Sequence, residues 1–168
     1  LSSKKKARKF ANSVFNLLLL ALLSLTILVE IFMPSFVKLI APGFSDIDEK
    51  FKLAVDLTRI TFPFLFFISI ASFFSAILNS HNKFAAAAAA PLFLNIILII
   101  CFLIIKNDKD LVYYLSYAIS FAGIIQFIFL MIFTRKYFYP TYRFNFQIDR
   151  KIKFFFKKLL PSMFSSGV

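Results

Sequence analysis

Several residue types that binding and catalytic sites depend on are scarce in this sequence. It has one cysteine, Cys101, one histidine, His81, and three glycines in 168 residues. A single cysteine excludes an intrachain disulfide, and neither residue has the neighbours that a metal site requires. No nucleophile–base pair and no glycine-rich phosphate-binding loop is visible. The sequence therefore predicts a protein that is not an enzyme, with no catalytic residue, no metal site and no cofactor.

Acidic residues are also scarce, since eight acids accompany 20 basic residues and the net charge is +12. On a soluble protein this excess would suggest nucleic acid as a partner. Here the charges avoid the long apolar runs and flank them instead. Flanking charges of this kind set the orientation of membrane helices. We therefore interpret them as topology signals and expect no binding to nucleic acid.

Apolar residues are abundant: they make up 60% of the chain, with 26 phenylalanines but no tryptophan, and the mean hydropathy is +0.82. Soluble domains are about 45–50% apolar. A soluble domain of this size buries only roughly 70% of its chain's surface, which leaves too little room for so many apolar side chains. The composition predicts an integral membrane protein.

Four apolar runs are long enough to cross a bilayer, which takes about 20 helical residues. The predicted fold is an all-α integral membrane protein with four complete transmembrane helices and the start of a fifth. The predicted spans are residues 10–33, 60–78, 84–105 and 111–134, with 159–168 incomplete. The chain begins with Leu1 and ends inside an apolar stretch, so we expect it to be part of a longer protein.

Pro34 is predicted to end the first span, and the segment that follows it contains a turn at residues 41–44. Residues 47–57 have the pattern of a short amphipathic helix, which is expected to lie along the membrane surface. Asp46, Asp48 and Glu49 lack the spacing of a calcium loop and suit the start of a helix. Glu30, in the last turns of the first span, is interpreted as a solvated interfacial side chain rather than a functional carboxylate.

Small and weakly polar residues recur on one face of the second span. Ser69, Ser72, Ala76 and Asn79 follow helical spacing. Such a face either lets another helix approach closely or lines a polar cavity, and packing is the favoured interpretation. Ser116, Ser120 and Gly123 form a similar stripe in the fourth span, with Gln126 nearby.

The third span opens with six alanines, residues 85–90, which form a narrow cylinder. Pro91 removes a backbone hydrogen bond and predicts a kink. Asn95, one turn further on, is a polar group at mid-membrane depth. It is expected to require a partner in the protein or a water-filled cavity.

The basic residues are distributed unequally between the two sides of the membrane. The N-terminal segment, the turn at Lys83 and the segment after residue 134 together hold 14 basic residues and one acid, whereas the opposite loops hold six of each. The positive-inside rule places the first group in the cytoplasm. Residue 1 is therefore predicted to lie on the cytoplasmic side.

An ordered set of short motifs resembles the MurJ/MviN family of lipid II flippases, within the MOP exporter superfamily. The motifs are R-I-T-F-P-F (residues 59–64), L-N-S-H-N-K-F-A (78–85) and A-P-L-F-L-N (90–95), with A-P-G-F (41–44) and the stretch 50–59 before them and K-K-L-L-P-S-M-F-S-S-G-V (157–168) after them. The resemblance covers nearly the whole chain.

The resemblance implies a two-lobed carrier with fourteen helices in the bacterial inner membrane. This chain would supply the third to sixth helices of the first lobe and the beginning of the seventh. The family moves the undecaprenyl-pyrophosphate-linked peptidoglycan precursor from the inner to the outer leaflet by alternating access, through a cationic cavity whose arginines lie mainly in helices outside this chain. The implied partners are this lipid, the bilayer and the remainder of the chain. The cavity-lining candidates are Ser69, Ser72, Asn79, Asn95 and Arg59.

Two other functions remain open from the sequence. The chain could belong to another MOP-type exporter, such as a polysaccharide-lipid flippase or a drug exporter. It could also be a small four-helix membrane adaptor that acts through helix contacts and transports nothing. The sequence upstream of residue 1 would discriminate between a carrier and an adaptor.

Overall fold

The computed structural model describes residues 2–44, 47–106 and 108–141. All regular structure in these ranges is helical. Four helical stretches are long and apolar enough to cross a membrane: Lys5–Ile31, Asp48–Ser80, Phe84–Ile105 and Leu111–Thr134. The prediction of an all-α membrane protein with four complete spans is therefore confirmed. The predicted start of a fifth span, at residues 159–168, lies outside the described residues.

The first span, α1 (Ser2–Ile31), begins within the basic N-terminal segment. It ends three residues before Pro34, and the chain continues at once as α2 (Met33–Ile40). Pro34 lies in the first turn of α2, where a missing N–H costs little because that donor has no partner within the helix. A short 3-10 turn, Pro42–Phe44, follows at the predicted position.

The predicted amphipathic helix is present, but it is longer than expected and it is not separate from the second span. It forms α3 (Asp48–Thr61), which continues into α4 (Pro63–Ser80) through Phe62, a residue with helical dihedral angles. The Phe62 amide donates to the Thr58 carbonyl at 2.7 Å, so the helical hydrogen bonds extend to the proline. The predicted start of the second span at residue 60 is thus inside a helical stretch of 33 residues.

The apolar face of α3 is used for packing within the protein. Val55 and Phe62 are buried in a cluster with residues from the end of α1 and from α2. The other buried members of this cluster are Val29, Met33 and Val37. Because protein side chains cover this face, it does not need the membrane interface to remove it from water.

The alanine run and Pro91 interrupt the third span as predicted. The helical residues divide into α5 (Phe84–Ala89) and α6 (Leu92–Ile105). Across the break, the Phe93 amide bonds to the carbonyl of Ala90, three residues earlier, at 3.2 Å. The turn before α5 is shorter than predicted, because α4 remains helical to Ser80 and Asn82 then adopts a left-handed φ of 58°.

The last described helix, α7 (Leu111–Thr134), contacts most of the others. It packs most extensively against α4, then against α6 and α3. The interface of α4 and α7 holds most of the buried residues, which include Phe74, Leu78 and Leu130. By contrast, α6 has no buried residue. Within the described residues, 20–139 form one compact unit, and residues 2–19 belong to a second unit with Pro140 and Thr141.

Candidate functional site

The predicted stripe of small residues on α4 faces away from α7. Ser72, Ala76 and Asn79 are exposed and Ser69 is half-buried, whereas the buried residues of α4 are on its other side. We call Ser69, Ser72, Ala76 and Asn79 the open face of α4. The sequence left two interpretations of this face, packing against another helix and lining of a cavity. The described residues show neither, because no described helix covers this face.

The two serines of the open face bond to their own helix. Ser69 Oγ donates to the Leu65 carbonyl at 2.6 Å, and Ser72 Oγ donates to the Ile68 carbonyl at 2.8 Å. Each hydroxyl then still offers lone pairs as acceptors. The open face is therefore uncharged and weakly polar, and it is smooth because it carries no bulky side chain.

Asn95 is exposed on α6, together with neighbouring apolar side chains such as Leu92, Ile96 and Ile99. The expectation that it contacts a polar partner is not met within the part of the chain that the structure describes. An amide at mid-membrane depth that faces hydrocarbon would lose its hydrogen bonds to water, at a cost of several kcal/mol. Asn95 therefore marks a surface for which the described residues supply no cover.

Arg59 lies in the last turn of α3 and pairs with Glu30 of α1. Arg59 Nε is 3.8 Å from Glu30 Oε2, and the two side chains are 48% and 26% exposed. Glu30 Oε1 is buried and has no hydrogen-bond partner in the described residues. The interpretation of Glu30 as a solvated interfacial carboxylate is wrong, because the tertiary fold gives it a cationic partner from a distant part of the chain.

Two residues of the stripe on α7, Ser116 and Gly123, are buried and Ser120 is half-buried, in contrast to the stripe on α4. Ser116 Oγ donates to the Val112 carbonyl at 2.9 Å, and Ser120 Oγ donates to the carbonyl of Ile60 on α3. At Gly123, an added Cβ would lie 2.8 Å from Phe64 Cδ2 and 3.3 Å from Phe67 Cβ. We call Ser116, Ser120 and Gly123 the closed face of α7, because they let α3 and α4 approach it closely.

Gln126 was noted in the sequence but was not among the candidates. Its side chain is 1% exposed, and neither Oε1 nor Nε2 has a hydrogen-bond partner in the described residues. In the sequence, the feature that could have singled out Gln126 was a polar amide inside an apolar run. The sequence could not show that this amide is buried without a hydrogen-bond partner in the described residues.

A cationic face lies on the first turns of α1, in the unit that contains residues 2–19, Pro140 and Thr141. Asn12 and Thr141 exchange two hydrogen bonds of 2.9 Å each. The cavity beside them has a volume of about 550 Å³ and is lined by Lys5, Arg8, Lys9, Asn12, Ser13, Asn16 and Thr141. The sequence counted these basic residues only as topology signals.

The comparisons with known proteins agree on one family. The family model described as "Lipid II flippase MurJ" matches residues 1–168. "Probable lipid II flippase MurJ" of Rickettsia prowazekii is 40% identical over 171 residues, which cover 100% of this chain and 33% of the relative. The protein of the same description in Rhizobium tropici is 42% identical over 125 residues, which cover 71% of this chain and 24% of the relative.

A third relative, "Lipid II flippase MurJ" of Burkholderia cenocepacia, is 36% identical over 90 residues, which cover 53% of this chain and 17% of the relative. The chain thus matches at most a third of the length of these three curated relatives. No group of three or more His, Cys, Asp or Glu that could hold a metal ion occurs within the described residues.

Proposed function

Because the chain belongs to the MurJ family of lipid II flippases, we propose that it forms part of the first lobe of a carrier that moves a lipid-linked peptidoglycan precursor from the inner to the outer leaflet. The observation that carries the proposal is the match of the family model over the whole chain. The protein would be a transporter rather than an enzyme. It would lie in the bacterial inner membrane with residue 1 on the cytoplasmic side.

The open face of α4 supplies part of the wall of the transport cavity. A sugar headgroup that moves along this wall meets hydroxyl and amide groups rather than hydrocarbon, so its own polar groups do not lose all of their hydrogen bonds. The wall carries no charge, so it does not hold a pyrophosphate in place. A smooth and neutral surface suits movement of the substrate rather than tight binding.

The ion pair with Glu30 makes Arg59 a poor candidate for binding pyrophosphate. A guanidinium that is shared with a carboxylate offers less net charge to a second anion. We assign Arg59 the role of linking α3 to the end of α1. The cations that bind pyrophosphate are then supplied by other helices of the complete carrier, in agreement with the resemblance noted from the sequence.

Asn95 and the break at Pro91 provide the second wall. Because the Pro91 ring interrupts the hydrogen bonds between α5 and α6, the angle between these helices can change at little cost in hydrogen bonds. We assign Asn95 to a surface that faces either the transport cavity or a helix outside the described residues. In both cases its amide gains the partners that the described residues do not supply.

Complementation tests the transport function. Cells depleted of their own lipid II flippase are supplied with the full-length gene that contains this chain. Growth and normal cell shape are the expected result. Lysis despite normal amounts of the protein in the membrane would contradict the proposal and favour a different exported substrate.

Cysteine labelling tests the assignment of the open face. In a full-length background with Cys101→Ala, single cysteines replace Ser72, Asn79 and, as a matched buried control, Ser116. A membrane-impermeant maleimide is expected to label the first two at least about tenfold faster, because a thiolate forms only where water reaches the thiol. Equal labelling of all three positions would exclude a water-filled cavity beside α4.

A further inference from the structure

The turn between α4 and α5 and the end of α7 lie together. The rings of His81 and Tyr137 are in contact, with their centroids 4.5 Å apart and their planes tilted by 37°. A cavity of about 560 Å³ opens beside this contact. It is lined by Leu78, Asn82, Lys83, Phe84, Ala85, Ala86, Phe133, Lys136 and Tyr137. The transport proposal makes no use of this cavity.

The cavity combines a cationic end with an apolar groove. Lys83 and Lys136 are exposed, and neither has an acidic partner among the described residues. From Leu78 to Ile105 and from Leu111 to Thr141 the sequence contains no acidic residue that could neutralise them. Both lysines are in segments that the distribution of charge places on the cytoplasmic side.

The alanine run creates the groove. Ala85 and Ala86 have short side chains, and the opposite wall is formed by Phe133, which is 50% exposed. Longer side chains at the two alanine positions would occupy the space between α5 and α7. The lining away from the lysines is therefore apolar, which suits a hydrocarbon chain.

We propose that this cavity binds one anionic phospholipid of the inner leaflet, with its phosphate between Lys83 and Lys136 and an acyl chain along Ala85, Ala86 and Phe133. Two unpaired lysines beside an apolar groove complement a negatively charged headgroup that is attached to hydrocarbon. The Tyr137 hydroxyl and the Asn82 amide add hydrogen-bond donors that suit the same headgroup. The bound lipid holds the end of α7 against the start of α5. This proposal does not depend on which substrate the carrier moves.

Lipid binding to the full-length protein tests the proposal. The purified protein is titrated with phosphatidylglycerol or with phosphatidylethanolamine, and bound lipid is counted by native mass spectrometry. The double variant Lys83→Gln/Lys136→Gln is compared with Lys106→Gln/Lys109→Gln, which removes the same charge at the other end of the helices. We expect the first pair to raise the Kd for phosphatidylglycerol about 25-fold, or about fivefold for each lysine, and the second pair to change it less than about twofold.

Two further variants separate the charge from the groove. Lys83→Arg/Lys136→Arg keeps both charges and is expected to bind phosphatidylglycerol as the wild type does. Ala86→Phe fills the groove and is expected to weaken binding although both lysines remain. Unfolding temperatures of all variants, measured without added lipid, check that each protein is folded.

Three results would overturn the proposal. The first is an unchanged Kd for phosphatidylglycerol in the Lys83→Gln/Lys136→Gln variant. The second is equal binding of phosphatidylethanolamine and phosphatidylglycerol to the wild type, since the lysines would then play no part. The third is displacement of phosphatidylglycerol by undecaprenyl pyrophosphate at equal concentration, because the cavity would then belong to the transported lipid. Failure of complementation would affect only the transport proposal.

Discussion

The open face of α4 and the closed face of α7 are built from the same kinds of residue but lie in opposite surroundings. Both carry serines at helical spacing together with an alanine or a glycine. On α7, Ser116 and Gly123 are buried, Ser120 bonds to α3, and the Cβ that Gly123 lacks would overlap Phe64 of α4. On α4, Ser72 and Ala76 remain uncovered.

The comparison shows that small residues on a membrane helix permit close approach but do not cause it. On α7 the approach is accompanied by a hydrogen bond between helices, from Ser120 to the Ile60 carbonyl. On α4, Ser69 and Ser72 bond to their own helix, as Ser116 does on α7, and no hydroxyl of the open face bonds to another described helix. A face that is smooth and satisfied within its own helix is suited to a cavity wall.

The largest change in stability is expected from Gly123→Leu. The new side chain must displace Phe64 and Phe67, and overpacking of this kind costs about 3 kcal/mol. Thermal unfolding of the full-length protein in detergent measures the loss, and Gly123→Ala should show a smaller one. Val112→Leu, which enlarges an exposed position of the same helix, is the control. Equal stability of Gly123→Leu and Val112→Leu would contradict close packing of α4 against Gly123.

The next change concerns Gln126, whose side chain is buried with no hydrogen-bond partner in the described residues. Gln126→Leu keeps nearly the same volume and removes the unsatisfied amide, so we expect the free energy of unfolding to rise by about 1–2 kcal/mol. Denaturant unfolding of the full-length protein measures it.

Gln126→Ala is the matched comparison for this prediction, since it removes the amide but leaves a cavity and should therefore be less stable than Gln126→Leu. A clear loss of stability in Gln126→Leu itself would show that the amide has a partner outside the described residues. Gln126 would then resemble the residues of the open face, in that its polar group contacts a part of the protein outside the described residues.

A smaller effect is expected from the pair of Glu30 and Arg59. Both side chains are partly exposed and 3.8 Å separates the nearest charged atoms, so their coupling energy should be only about 0.5–1 kcal/mol. A double-mutant cycle with Glu30→Gln and Arg59→Gln measures it through unfolding. The same cycle with Glu49→Gln in place of Glu30→Gln is the control and should give no coupling, because Glu49 lies at the opposite end of α3 from Arg59. Equal coupling in both cycles would contradict a specific link between α1 and α3.

The smallest change in stability is expected from Ser72→Leu on the open face. If this face lines a water-filled cavity, the free energy of unfolding should change by less than about 0.5 kcal/mol, while complementation of a flippase-depleted strain should weaken because leucine narrows the path. A large loss of stability would instead show that another helix packs against α4. The favoured interpretation of the sequence would then be correct, and the open face would resemble the closed one.

The family and the number of spans could be predicted from the sequence because both depend on local features. An apolar run of about 20 residues has no other stable place than a bilayer or a buried core. Pro91 interrupts its helix in any surroundings, because it lacks the N–H that donates to the carbonyl four residues earlier. The polar turn between α4 and α5 was recognised for a similar reason, although its first residues proved helical.

The features that the sequence did not predict are contacts between distant segments. Residues 47–57 have an amphipathic pattern that fits the membrane surface and a protein interface equally well, and only the positions of α1 and α2 select the interface. Glu30 was interpreted as solvated because its partner, Arg59, is 29 residues away in sequence. Ser69, Ser72, Asn79 and Asn95 stay predictions as cavity-lining residues.

What the amino-acid sequence determined by itself is therefore the membrane environment, the four helices and the break at Pro91, because each follows from residue type and order along one segment. Only the tertiary structure decided which small-residue face is closed and which is open, that Arg59 is paired with Glu30, and that Lys83 and Lys136 share a cavity. These outcomes depend on which helices become neighbours. Helical spacing in the sequence shows which residues share a face, but it does not show which part of the protein covers that face.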